Sequence, residues 1–509
     1  MFRDAFLPRW LLVSGLCVPV ALLVGFLLAG PLGTTSLLAL GLILSVMTFP
    51  LLLRWHHVIL IMAWNAAILF PFLPGQPYIW TVVAVCSLFL SVLRRTLDRN
   101  FEMLRVPSLS RPLILLGIWV LVTAFLTGGF GGRALGQELW GGKKYLGVLG
   151  AVIGFLALAA HRIPEEKARL YASLFFLSGL TLSLSDLVYM GGPKLYSLYA
   201  FLPAEYAMTQ ALSTESLWRL SGVGFAAQSF CWFLLARFGI RGLVDLSRPW
   251  RLFAFVAGVV LALLGGFRST IILLAILLVV QFFLEGMFRT RFTLVLLGCF
   301  TLCAVLAGAF VDKLPLPVQR SISFLPIPGI DPSARVDAQG TLNWRLDIWK
   351  TVFPEVPQYL LVGKGFAYNG TDYYLTSEAV RRGVYRTVDE ATLISGSYHQ
   401  GILTIIIPFA IWGLILFVWF CWASLKLLIW NYRYGKTSLR LTNTFLLSFF
   451  ICRLIFYVVF YGQFDLDLFQ FTGIVGLSVA LNGGFADRAE SAAESAHPEP
   501  APILIRRRV

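Results

Sequence analysis

Four residues stand where chemistry could be done: Arg219, Arg268, Arg345 and His399. Arg219 opens a ten-residue stretch ending at Gln228, where polar sequence turns apolar and glycines permit close backbone approach. Arg268 lies in Gly265-Gly266-Phe267-Arg268-Ser269-Thr270, the main polar break in the otherwise apolar run Leu252–Leu284. Arg345 projects from a helical repeat, Leu342, Leu346, Trp349 and Phe353, that Pro354 and Pro357 bring to an end. His399 stands in Ser397-Tyr398-His399-Gln400-Gly401, just before a new apolar run. A guanidinium is planar and permanently charged, so it can grip a pyrophosphate through forked hydrogen bonds without a metal. An imidazole, with an ordinary pKa of about 6.5, exchanges a proton near neutral pH. Anion binding beside a proton acceptor is the chemistry these types allow.

The elements that must position them are membrane helices. Of the 509 residues 58% are apolar and 13% charged, with a mean hydropathy of +0.79, outside the range of soluble domains. Apolar segments of about 15–22 residues between short polar breaks predict an all-α polytopic bundle of about 14 spans. The first two run from about Trp10 to Gly30 and Thr34 to Leu53, with no convincing cleavage site, so the first is expected to stay as an anchor. Residues 1–311 then carry about 11 spans and residues 401–482 about three more. Residues 312–400 form one long outer loop, and residues 483–509 a solvated tail rich in Ala, Glu, Ser and Pro.

The net charge of +15 does not point to nucleic acid, because the basic residues are scattered through short loops and form no face with interleaved aromatics. With a cytoplasmic N-terminus, most of the 41 Lys and Arg fall in segments such as Arg94–Arg111, Arg237–Arg251 and Lys426–Arg440, as the positive-inside rule requires. In Asp312–Gln400 nine basic residues face nine acidic ones, and long loops are exempt from that rule. One helix over Leu252–Leu284 would reach about 50 Å against a hydrocarbon core of about 30 Å, and it would invert every later loop. A hairpin of two short spans is therefore expected, with Arg268 below the outer surface, where it needs an anion. Of the five histidines, His56, His57 and His161 fall at cytoplasmic loops and His497 in the tail, leaving His399 outside. The seven cysteines lie in apolar runs without metal-ligand spacing, so neither a metal site nor a disulfide framework is expected. No cofactor is expected either.

From about Arg219 to Leu416 the chain resembles the O-antigen ligase and polysaccharide polymerase superfamily of bacterial envelope glycosyltransferases. The likeness rests on Arg219–Gln228 opening a span, a Gly-x-Arg-Ser/Thr hairpin at Gly266–Thr270, Arg345–Trp349 followed by the Gly363–Phe366 turn, and His399-Gln400 closing the loop. Gln400 departs from the Asn often found there, and 14 spans exceed the dozen or so usual in ligases. The resemblance implies a GT-C-like bundle in the bacterial inner membrane with a site facing the periplasm. It implies a metal-independent, inverting transfer from an undecaprenyl-diphosphate-linked glycan to an acceptor hydroxyl on a glycan or a lipid A core. On that basis Arg219, Arg268 and Arg345 bind the diphosphate and His399 assists the acceptor hydroxyl.

Structural roles compete with these. Arg268 could bridge to Asp186, Arg453 is expected to meet Asp465 or Asp467, and Lys143 and Lys144 read as interfacial anchors. A transporter or flippase of lipid-linked sugars is the alternative function, although no internal repeat is visible and Asp186 is the only clear intramembrane acid. The enzyme reading requires Arg219, Arg268 and His399 to converge at one outward-facing cleft.

Overall fold

A computed structural model describes residues 18–26, 52–73, 75–98, 103–132, 138–211, 219–289, 308–382 and 389–487, with a few isolated positions besides. Most of the first two expected spans, the one before the long loop and nearly all of the tail lie outside these residues. The chain divides into residues 1–57, in which residues 18–26 are helical, and residues 58–509, which carry everything below.

The fold is all-α: the structure is 76% helical, and the named strands among the described residues are two residues each. The helices are α1 (Ile79–Leu97), α2 (Pro107–Leu126), α3 (Gly142–Leu158), α4 (Glu165–Met190), α5 (Ser221–Leu243), α6 (Trp250–Leu263) and α7 (Arg268–Leu284). After the long loop's α8 (Leu316–Ile322) and α9 (Pro332–Val352) come α10 (Leu403–Tyr434), α11 (Thr437–Val459) and α12 (Phe464–Asn482). Among the described residues seven helices, α1, α2, α4, α5, α10, α11 and α12, are long and apolar enough to cross a membrane. The protein is thus an all-α, membrane-embedded chain. The run Leu252–Leu284 breaks at Leu264–Phe267 into α6 and α7, as expected. Their 14 and 17 residues rise only about 21 and 25 Å.

At the centre, α12 packs along α3, α10 along α2, and α7 against α11. Aromatic rings fill the seams: Phe417, Phe464, Phe471 and Tyr457 join α10, α11 and α12 edge to face. The buried Arg453 guanidinium pairs with Asp467 and not with Asp465, while the other Asp467 oxygen accepts from the Gln463 amide at 2.8 Å and caps α12.

The Gly363–Phe366 turn has a structural job. Pro408 lies inside α10 and Ala410 leaves helical geometry (φ 58°), which frees backbone carbonyls within an apolar helix. The turn supplies the missing donors: the Lys364 amide to Ile407 O at 2.7 Å and the Gly365 amide to Pro408 O at 2.9 Å. Trp119 Nε1 donates to Phe409 O at 2.7 Å. Non-helical backbone at such a place requires this kind of internal satisfaction. Gly363 (φ 85°) is needed because a Cβ there would stand 2.4 Å from Pro408 O. Beyond the turn, β1 (Leu139–Trp140) pairs antiparallel with β2 (Tyr368–Asn369), and Phe366 N–H donates to Tyr145 Oη at 2.8 Å. The loop before α3 is thereby tied to the long loop.

The repeat Leu342, Leu346, Trp349 and Phe353 predicts an amphipathic helix lying on or over the membrane surface, and α9 is such a helix. The predicted stripe points away from the protein, with Leu342, Leu346 and Phe353 exposed and Trp349 half-buried. The face towards the bundle carries Ala334, Ala338, Ile348 and Val352, all essentially inaccessible. Small residues let α9 approach closely, and the outward stripe is left free for an apolar medium.

Candidate anion site and its histidine

Arg219 and Arg268 meet because their two motifs interlock. The Leu220 amide donates to Leu264 O at 3.1 Å. A Cβ on Gly224 would stand 3.0 Å from the Gly265 Cα, so the glycines provide the close approach that their spacing suggested. Gly266, in the left-handed region (φ 69°), packs under the Arg219 side chain, and Arg268 opens α7 one turn away.

The long loop lays α8 and α9 over this hairpin. Asp337 on α9 accepts from Arg219 Nη2 at 3.1 Å and from Arg320 Nε on α8. Arg320 is only 5% exposed, and its remaining nitrogens reach Gly266 O and Thr341 Oγ1. Arg268 Nη2 donates to Ala338 O at 2.5 Å and lies in the field of Arg320, Arg345 and Asp337. Burial and then Arg320 push the Arg219 guanidinium down from the usual arginine range, and Asp337 opposes them. Four guanidiniums against one carboxylate leave a formal charge of +3 (4 − 1), the condition in which a buried site favours an anion.

Arg345 links this cluster to His399. Its guanidinium lies 5.3 Å over the Tyr461 ring, and its Nε is buried without a hydrogen-bond partner. The His399 ring sits between Trp344 and Tyr461, with centroids 5.1 and 5.3 Å away. Trp349 Nε1 holds the preceding residue by donating to Tyr398 O at 3.0 Å, and Tyr398 is buried. His399 occupies the left-handed region (φ 54°), a strained place for a residue with a side chain, and its Nδ1 is buried and unpartnered. Burial, followed by the charges of Arg345 and Lys144, pushes the imidazole down to about 4, so it is neutral at physiological pH.

All four residues singled out in the sequence therefore meet at one end of the bundle, Arg219 and Arg268 beneath the long loop and Arg345 and His399 within it, with Arg345 as the connection between His399 and the other arginines. Several neighbouring expectations change. Asp186 does not bridge to Arg268; its Oδ2 accepts from the Val223 amide at 2.8 Å and so occupies the N-terminus of α5. Lys144 is more than an interfacial anchor: its Nζ donates to Ser395 O at 2.6 Å and Ser397 Oγ at 3.3 Å, fixing the loop just before His399. Lys143, over the Tyr78 ring at 5.8 Å, keeps the simpler role. Gln400 Oε1 accepts from the Leu403 amide at 2.7 Å and caps α10.

Sequence reasoning passed over Arg320 and Asp337. Arg320 has no local signal, since its partners lie 17 to 54 residues away. Asp337 had one: Asp337, Thr341 and Arg345 recur every fourth residue, which puts a polar column on one helix face. No protein-family model matches the chain, and no curated protein sequence matches it.

Proposed function

We propose that this chain is a membrane glycosyltransferase of the O-antigen ligase and polysaccharide polymerase type. It moves a glycan from an undecaprenyl-diphosphate-linked donor to an acceptor hydroxyl on a lipid A core sugar or another lipid-linked repeat. The proposal includes the finer topology: about 14 spans in the bacterial inner membrane, with the His399 end facing the periplasm.

The observation that carries this reading is the meeting of Arg219, Arg268, Arg320 and Arg345, drawn from four separate segments, around a single carboxylate beside His399. A diphosphate diester is dianionic and would largely offset that charge. The acceptor oxygen attacks the anomeric carbon as its proton passes to the neutral imidazole. The bond from that carbon to the diphosphate oxygen breaks, and the diphosphate leaves with the electron pair. Guanidiniums already in place at a partly buried site stabilise that departing charge without reorganisation. A free-state imidazole near 4 is a weak base, but the bound diphosphate offsets Arg345 and raises the imidazole towards neutrality just when a base is needed.

The test is a glycan profile of a deletion strain complemented with the wild type, His399→Ala or His399→Gly. Glycine relieves the positive φ, so a merely structural histidine would tolerate that replacement, whereas a catalytic one would not. Both variants should accumulate to normal levels and fail to restore long glycan. Polymer held on the carrier would identify a ligase, and single repeats a polymerase. Wild-type glycans from His399→Gly would overturn the catalytic assignment.

A further inference from the structure

Helix α5, 23 residues long, carries the candidate site at its Ser221 end, and its other end, past the break at Gly239, borders a second basic feature. There, at the face expected to be cytoplasmic, a cavity of about 270 Å³ is lined by Arg169, Arg237, Arg248 and Arg251, with Phe238 and Ser438. These residues come from the start of α4, the end of α5, the loop into α6 with the first turn of α6, and the start of α11.

The four guanidiniums are only partly offset by nearby acids. Among the described residues none of them forms an ion pair with a carboxylate, and the acids in the neighbourhood are engaged elsewhere. Glu165 binds Lys436 and Ser438. Glu285 accepts from the Ile240 amide at 2.8 Å and the Arg241 amide at 3.1 Å, where α5 breaks at Gly239. Asp245 accepts from the Ser247 amide and hydroxyl and acts on Arg251 and Arg248 only through space. Arg251 stacks 4.3 Å over Phe238 and gives one bond to Gly242 O at 3.2 Å, while its Nε stays buried without a partner. One half-buried guanidinium, Arg251, with the exposed Arg169, Arg237 and Arg248 around the same cavity, offers forked donors that match a phosphate oxyanion.

The adjoining residues say which phosphate. Leu246 (87%), Trp250 (55%) and Phe253 (77%), within a few residues of Arg248 and Arg251, are exposed, and the Trp250 ring also lies 5.8 Å from Phe238 of the cavity wall. Exposed apolar side chains next to a basic cavity at the end of membrane helices suit an amphiphile whose head is anionic and whose tails stay in the bilayer. We propose that this cavity is a head-group site for an anionic phospholipid of the leaflet opposite the candidate catalytic site. It stands independently of the glycosyltransferase reading.

The test uses the full chain in phosphatidylcholine nanodiscs containing a minor fraction of phosphatidylglycerol, with native mass spectrometry reading the lipid that stays bound. The wild type should retain phosphatidylglycerol over phosphatidylcholine. Arg237→Gln with Arg248→Gln, both at exposed positions and so compatible with folding, should weaken that retention by about 10–30-fold, from about 1 kcal/mol per basic residue near the lipid surface. The corresponding double lysine variant should keep most of it. Equal retention of the two lipids by the wild type, or unchanged retention in the glutamine variant, would overturn the proposal. Displacement of the lipid by millimolar inorganic phosphate would also overturn it, since the site would then be one for a soluble anion.

Discussion

At the scale of single residues, His399 is held in an unusual state by three causes that can be varied separately. Its folded-state pKa of about 4 lies below the unfolded value of about 6.5. Between those two values the unfolded chain binds a proton that the folded chain does not. Stability contributed by the neutral imidazole is therefore complete above about pH 6.5, falls as the pH drops through the window, and is gone near pH 4. In the free protein the basic form persists well into acid. The acid limb of kcat/KM should accordingly lie below that of an ordinary histidine. Lys144→Met, which removes one of the cations depressing His399, should move the limb upward. A pH profile that stays in place in that variant would show that Lys144 does not act on the titrating group.

At the scale of elements, the part of the long loop most sensitive to mutation should be the one that repairs α10. Gly363 and Gly365 sit in positive-φ backbone and bring amide donors to carbonyls freed by the Pro408–Ala410 break. Gly363→Ala adds an atom against Pro408 O and forces a side chain into the left-handed region. A loss of about 3 kcal/mol is expected, combining strain with weakened hydrogen bonds, and should appear as a lowered Tm of the purified protein in detergent. An unchanged Tm would mean that the turn does not support the kink. Helix α9 follows another logic: its protein-facing column of Ala334, Asp337, Ala338, Thr341 and Arg345 mixes small, apolar and charged residues, so the apolar repeat marks the outward face and says nothing of what meets the bundle. The arginines and Asp337 decide which side faces the bundle.

At the scale of the molecule, two basic sites occupy opposite ends of α5 in a bundle rich in apolar helices. Their orientation is open to direct measurement. In a cysteine-free background, a cysteine placed at exposed Asn343 on α9 should react with a membrane-impermeant maleimide in spheroplasts. One placed at exposed Ser247, before α6, should react only after permeabilisation. Labelling of Ser247→Cys in intact spheroplasts would invert the topology and remove the candidate site from the periplasmic face.

The sequence by itself determined the membrane class and that the run Leu252–Leu284 breaks at Gly265-Gly266. It also singled out Arg219, Arg268, Arg345 and His399, because composition, periodicity and charge placement are local properties that survive without knowledge of contacts. Only the tertiary structure decided what those residues meet. Arg320 and Asp337 entered the site through partners far away in sequence, Asp186 and Arg268 were kept apart, and Lys144 was turned onto the loop that bears His399. The physical reason is that a charge in an apolar bundle takes whichever partner the packing of the helices brings within hydrogen-bonding distance, and that packing is set by long-range fits such as Gly224 against Gly265.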